Sequence, residues 1–333
     1  MPVLVAGSIA TDHLMHFPGK FSDQLVAEQL HNVSLSFLVD DLVIRRGGVA
    51  PNICYGMAQL GGSPVLIGAV GEDFDDYRAW LERNGVDCGH ILVSQFHHTA
   101  RFICTTDDDL CQIGSFYTGA MSEARNIELA PAWRATGADL VVISADDPAA
   151  MLRHSEECRQ LGYRFAADPS QQVTRMANGG DLTKLIEGAE LLFTNEYERS
   201  LLESKTGLSG DEVLARVSVR VTTLGKAGVE IAGREIETVR VPVAKERAKA
   251  DPTGVGDAFR AGLLTARDWG LSWERSAQVG NMLACYVQRR SGRRSTRSSR
   301  ATSRTGCPSP TVTPVPKRSC RTCPDRCRVD SAT

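Results

Sequence analysis

The residues best placed to do chemistry lie in one short segment, Asp251-Pro-Thr-Gly-Val-Gly-Asp-Ala-Phe-Arg-Ala-Gly262. A Val-rich, strand-like run at 238–243 precedes it, and apolar residues at helical spacing follow it: Ala258, Phe259, Gly262, Leu263 and Ala266. Gly254, Val255 and Gly256 therefore fall where a loop enters a helix. Two glycines let the backbone turn several N–H groups toward one point, and a helix N-terminus adds unpaired donors and partial positive charge. Such a loop suits an anion. Asp257 comes next, in the first turn of the helix. A carboxylate beside an anion site can take the proton of a hydroxyl that attacks a phosphoryl group. The plainer reading is an acidic residue that stabilises a helix start after a Gly-rich turn.

The elements that must position these residues alternate between strand and helix. Strands are expected at 3–8, 65–70, 139–144, 163–168, 190–194 and 220–224. Helices are expected from the Arg46-Gly-Gly-Val-Ala-Pro-Asn52 segment to about Leu60, and over 71–85, 148–161, 196–205 and 272–287. This order predicts a parallel sheet covered by helices. Three stretches interrupt it. Residues 33–44 alternate in part (Val33, Leu35, Phe37, Leu42, Ile44), and 99–106 and 111–117 flank the acidic turn Asp107-Asp-Asp109 as a hairpin. They predict a small β lid drawn from about 12–46 and 97–118. A lid that buries one face alone leaves the other for a second subunit, so a homodimer joined through the lid is expected.

Polar residues cluster where strands end, the usual ligand edge of an open α/β sheet. Ser8 and Asp12 follow the first strand, and Asp12 either caps a turn or meets a ligand. Asp168-Pro-Ser-Gln-Gln172 brings Gln171 and Gln172, amides for a base or sugar edge. Asn195 and Glu198 are three apart, so one helical turn puts them on one face. They either cap a helix or supply oxygens to a hydrated Mg²⁺ at a triphosphate. Phe102 and Phe116 offer flat faces that could sandwich a purine, or simply pack the lid.

Composition narrows the classes. The chain has 333 residues and a formal charge of −2, but the 46 residues from Gln288 carry +10 and the rest −12. An acidic body argues against a general nucleic-acid surface, and no run is long and apolar enough to span a membrane. Cys54, Cys88, Cys104, Cys111, Cys158 and Cys285 stand at no ligand spacing and read as reduced thiols of a cytoplasmic protein. The Arg/Ser/Thr/Pro-rich tail from Gln288 reads as disordered. Cys320-x-x-Cys323 has zinc-ligand spacing, and a basic arm for nucleic acid is a second reading. The abrupt change in mid-helix favours a third, a shifted reading frame.

The Asp251 segment closely resembles the C-terminal signature of the PfkB, or ribokinase-like, family of small-molecule kinases. The ordered run Gly47-Gly48, Asn52, Gly61-Gly62, Gly68 and Gly71-Glu-Asp73, some 200 residues earlier, resembles the N-terminal one. The resemblance covers residues 1 to about 287. It implies a ribokinase-like three-layer α/β/α domain with a β-sheet lid, Asp257 as catalytic base and the amides of Gly254, Val255 and Gly256 as anion hole. It implies further that Asp12 binds sugar hydroxyls, that Asn195 and Glu198 serve Mg²⁺, and that Thr223-Leu-Gly-Lys-Ala-Gly228 (Thr223, Leu224, Gly225, Lys226, Gly228) forms the ATP loop. Within the family the chain looks most like bacterial adenosine kinases of ribokinase type, with Ser8, Asp12, Ser36, Gly48 and Asn52 around a ribose. A sugar kinase and a catalytically impaired nucleoside-binding protein are the alternatives, and a monovalent-cation requirement stays open. The tail lacks the family's base-lining segment and final helix, which puts ATP affinity and stability in question.

Overall fold

The structure, a computed structural model, describes residues 1–24, 34–243 and 254–295. Elements are numbered in chain order. The large sheet holds β1 (Pro2–Ala6), β4 (Ser63–Ile67), β9 (Leu140–Ile143), β10 (Phe165–Ala167), β11 (Leu191–Asn195), β12 (Val219–Thr223), β13 (Val229–Gly233) and β14 (Ile236–Val241). Their spatial order is β14-β13-β12-β11-β10-β9-β1-β4. The six strands from β4 to β12 are mutually parallel, and β13 and β14 add an antiparallel edge.

Strand residues alternate between two apolar cores, as the period of two requires. Val3, Val5, Leu66, Val142 and Phe193 face one core, with Ile53, Tyr77, Phe259 and Leu263. The helices on that side are α1 (Val49–Gln59), α2 (Asp75–Arg83), α9 (Val255–Asp268) and α10 (Trp273–Ser295). Leu4, Ala6, Ile67, Ile143 and Leu192 face the other core, with Leu129, Met151, Leu182 and Leu202. Those residues belong to α3 (Leu129–Thr136), α4 (Pro148–Leu161), α6 (Gly179–Ile186) and α7 (Glu196–Thr206); α5 (Gln172–Arg175) and α8 (Gly210–Leu214) are short turns beside them. The result is the expected helix–sheet–helix sandwich. Close approach of α1 and α9 depends on Gly56, where an added Cβ would lie 2.6 Å from the Cβ of Ala261.

The lid is a second sheet in the order β3-β2-β7-β8, made of β2 (Ala10–His16), β3 (Asp41–Gly47), β7 (Ala100–Thr106) and β8 (Gln112–Tyr117). Strands β7 and β8 form the expected hairpin. Two expectations change here. Residues 34–39 carry no strand, and β2, with its polar Asp12, His13 and His16, takes the lid position instead. The single strand expected over 65–70 is two, because β5 (Ala69–Gly71) leaves the large sheet at Gly68 to pair with β6 (Leu92–Ser94).

Helix α10 runs through Ser295, eight residues past the expected end of order at Val287. The remaining tail calls, disorder and a Cys320–Cys323 site included, lie outside the described residues, as do Val33 and Asp251 to Thr253. Among the described residues the six body cysteines are free thiols, and no helix is long and apolar enough to cross a membrane.

Candidate active site

Two helix N-termini converge at the carboxyl edge of the large sheet. Gly48 is the N-cap of α1, with φ of 95°, and a Cβ there would lie 2.4 Å from the carbonyl oxygen of Ser8. No L side chain fits. Gly254 is the N-cap of α9, with φ of 76°, in the left-handed region that glycine supplies most cheaply. Asn52, in the first turns of α1, donates its side-chain Nδ2–H to Asp257 Oδ2 at 2.9 Å. A Cβ on Gly254 would stand 3.7 Å from the same Asn52 nitrogen. The two glycine-led helix starts thus meet around one carboxylate.

Asp257 keeps some surface accessible, yet the protein around it pushes its carboxyl up to about 6, with desolvation the main cause. The positive charge of Arg260 and the Asn52 hydrogen bond oppose the rise. A carboxylate near 6 is largely ionised at neutral pH and basic enough to accept a proton. The amides of Val255 and Gly256 open the first turn of α9 beside it, where the helix dipole favours an anion.

Ser8 is buried at the end of β1 and its N–H donates to Ala145 at 2.9 Å. Asp12 lies in β2 with its carboxylate against Gly47: a Cβ on Gly47 would stand 3.0 Å from Asp12 Oδ2. Buried Tyr77 fixes that corner by donating its hydroxyl to the Gly47 carbonyl at 3.0 Å. Strand register places Arg45, Asp12, Phe102 and Phe116 in one row across the lid. Partners directly opposite share a face, so Phe102 and Phe116 stand side by side. They cannot sandwich a purine within one chain, which corrects that expectation; they form one aromatic floor next to Asp12. Arg175 of α5 lies over it, its Cζ 5.8 Å from the Phe116 ring centre. Ser36 is exposed in 34–39, and the contacts that gather Ser8, Gly48, Asn52 and Asp257 do not extend to it.

Gln172 begins α5 and is buried, and its Oε1 has no hydrogen-bond partner among the described residues. A buried carbonyl left without a donor is costly unless a ligand supplies one. Gln171 is exposed and accepts from the Ser170 hydroxyl at 2.7 Å.

Asn195 ends β11 and pairs in register with Thr223 at the end of β12, so two strand ends carry neighbouring polar groups. Asn195 and Glu198 form a reciprocal capping box: Asn195 Oδ1 accepts from the Glu198 N–H, and Glu198 Oε2 from the Asn195 N–H, each at 2.8 Å. Asn195 is thereby committed to the helix start, while Glu198 keeps its second oxygen. Beyond Thr223, Leu224 leads into a tight turn (Gly225–Ala227) closed by a 2.8 Å bond from the Leu224 N–H to the Gly228 carbonyl, with Gly225 and Lys226 exposed.

Asp168 and Arg260 also belong to this edge. Arg260 pairs with buried Asp168 through Nη2 at 2.7 Å and through Nε, and its charge bears on both Asp257 and Glu198. Burial pushes the Glu198 carboxyl up. Glu198, with one oxygen left over from the capping box, is the residue that would serve a hydrated divalent cation. Among the described residues no three His, Cys, Asp or Glu side chains converge on one point.

Comparison with known proteins gives the family. Residues 18–300 match the pfkB family carbohydrate kinases. A nucleoside kinase of Methanothermobacter thermautotrophicus is 28% identical over 290 residues, 86% of this chain and 88% of that protein. A fructokinase of Salmonella typhimurium is 30% identical over 240 residues, 66% of this chain and 76% of its own length. The structure of the nucleoside kinase of Burkholderia thailandensis in complex with inosine is 33% identical, with a TM-score of 0.72 over 85% of this chain and 89% of that one. The Methanocaldococcus jannaschii nucleoside kinase, an archaeal member of the ribokinase family, shares the fold with a TM-score of 0.74 at 24% identity. The chain belongs to the pfkB family and is a kinase of its nucleoside and sugar class.

Proposed function

We propose that this kinase transfers the γ-phosphoryl group of ATP to the 5′-hydroxyl of adenosine. The observation that carries the reading is Asp257, a partly enclosed carboxylate held by Asn52 at the amide-rich start of α9. In the reaction the 5′-oxygen forms a bond to the γ-phosphorus as the bond from that phosphorus to the β–γ bridging oxygen breaks. The 5′-hydroxyl proton passes to Asp257, and ADP leaves with the bridging oxygen. The Gly254 to Gly256 backbone faces the charge that develops on the transferred group. Mg²⁺, held through water by Glu198 with Asn195 close by, would neutralise phosphate charge when bound. Thr223, Leu224, Gly225, Lys226 and Gly228 would border the nucleotide.

Two features favour a nucleoside over a free sugar. The Phe102–Phe116 floor offers a ring-sized apolar surface, and the Gln172 carbonyl lacks a donor of the kind an exocyclic amine would bring. Asp12, in register with Phe102, suits ribose hydroxyls. The inosine-bound relative makes inosine the competitor to test. Labelled ATP offered with adenosine, inosine, guanosine, ribose and fructose is expected to give the highest kcat/KM with adenosine. Preference for ribose or fructose would select the sugar-kinase reading.

The lid face opposite Asp12 carries exposed Leu42 (53%), Ile44 (60%), Ile103 and Ile113, brought together by strand register. This face supports our reading of a homodimer that covers it. Sedimentation at micromolar concentration is expected to give twice the chain mass, and a monomer would remove that part of the proposal.

A further inference from the structure

Arg260 is the unexpected residue of helix α9. It sits within the apolar run Ala258 to Ala266, and it is only 7% exposed. A charge so placed needs a partner, and Asp168, fully buried at the end of β10, supplies it side-on through Nε and Nη2. Pairing alone does not explain where the other edge of the guanidinium goes. A Cβ built on Gly256 would lie 2.7 Å from Arg260 Nη1, so that edge rests against the backbone of the anion hole. One helical turn separates Arg260 from Asp257, which puts both on one face of α9. The Phe193 ring, 5.7 Å from Cζ, walls the other side.

We propose that Arg260, locked by Asp168, is a positioning residue that supplies fixed positive charge behind the anion hole and keeps Asp257 ionised before the acceptor hydroxyl docks. The inference rests on the reading of Asp257 as base. Among the described residues, the groups that bear on Asp257 are Asn52 from α1, Asp168 from the end of β10 and Arg260 from its own helix, while Glu198 of α7 bears on Arg260. Of these, only Arg260 is a cation. Its charge opposes the desolvation that pushes the Asp257 carboxyl up. A guanidinium suits the task because it stays charged when buried and its planar fork binds a carboxylate at two points. The arrangement also explains Gly256 as a matter of space, since any side chain there would displace the Nη1 edge.

The test compares Arg260→Lys with the double variant Arg260→Met/Asp168→Asn, which leaves no orphaned buried charge and so protects folding. Both are assayed with ATP and adenosine across pH 5 to 9, with adenosine affinity measured by calorimetry. The double variant is expected to lose about 100-fold or more in kcat, with adenosine Kd within about threefold. The acid limb of its kcat/KM profile is expected to move up, because the lost charge of Arg260 outweighs the opposing lost charge of Asp168. Arg260→Lys is expected to keep the limb at its wild-type position. A double variant with kcat within about threefold of wild type, or with an unmoved acid limb, overturns the proposal; so does a Lys variant whose limb moves as far. Asp257→Asn run alongside separates the two readings. If it stays active, the base assignment fails. If it is inactive while the double variant behaves as wild type, only the role of Arg260 fails.

Discussion

The Asn52 amide donates to Asp257 Oδ2 across 205 positions of chain, which joins the first turns of α1 and α9. That hydrogen bond favours the ionised carboxylate and fixes which oxygen faces away from Asn52. Asn52→Ala is expected to lower kcat about tenfold and to move the acid limb of kcat/KM upward. In wild type that limb should fall near the value of about 6 set by burial of Asp257, with activity present above it and lost below. An Asn52→Ala profile that superimposes on wild type would show that the contact does nothing for the base.

The shared face of Phe102 and Phe116 makes a second prediction. If the adenine ring rests on this floor, replacing either with Ala should raise the adenosine KM about tenfold, or ~1.4 kcal/mol. The KM for ribose should hardly change. Equal losses for both acceptors would mean that the rings only stiffen the lid.

Asp146, at the end of β9, offers a test of stability. It is buried, its Oδ2 has no hydrogen-bond partner among the described residues, and burial pushes its carboxyl up to about 8. The folded protein therefore holds a proton that the unfolded chain releases near pH 4, so stability falls as pH rises from about 4 to 8. Asp146→Asn keeps an oxygen to accept from the Asp147 N–H and removes the titration. It is expected to stabilise the protein by ~1 kcal/mol or more at pH 8, and little at pH 4.5. Thermal melts at the two pH values measure this; an equal effect at both would mean that Asp146 is not protonated in the fold.

Much of this arrangement could be read before the structure. Alternation of strand and helix leads directly to the parallel sheet, helix α4 falls where its residues place it, and Gly254 does cap the helix that carries Asp257. What could not be read has physical reasons. Strand β2 escapes because Asp12, His13 and His16 break its apolar alternation, and none of them is buried in a core that would shape the pattern. The break at Gly68 is hidden because an unbroken apolar run looks the same whether it serves one sheet or two. Phe102 and Phe116 can be singled out by type, but only the register shows that they lie side by side. Arg260 was in plain view inside the signature segment. The missed signal was a charge in the apolar stripe of a helix, which calls for a buried partner. Arg175, which closes over Phe116, has no comparable signal in the sequence.

The central claim is that Asp257 takes the proton of the hydroxyl that attacks ATP. Single-turnover transfer of labelled γ-phosphate to adenosine, comparing wild type with Asp257→Asn, addresses it directly. Asn keeps the size of the side chain and an oxygen for Asn52, but it cannot serve as the base. Transfer is expected to slow by about a thousandfold or more while adenosine Kd stays within about tenfold. A variant that keeps more than about a tenth of the wild-type rate would contradict the account.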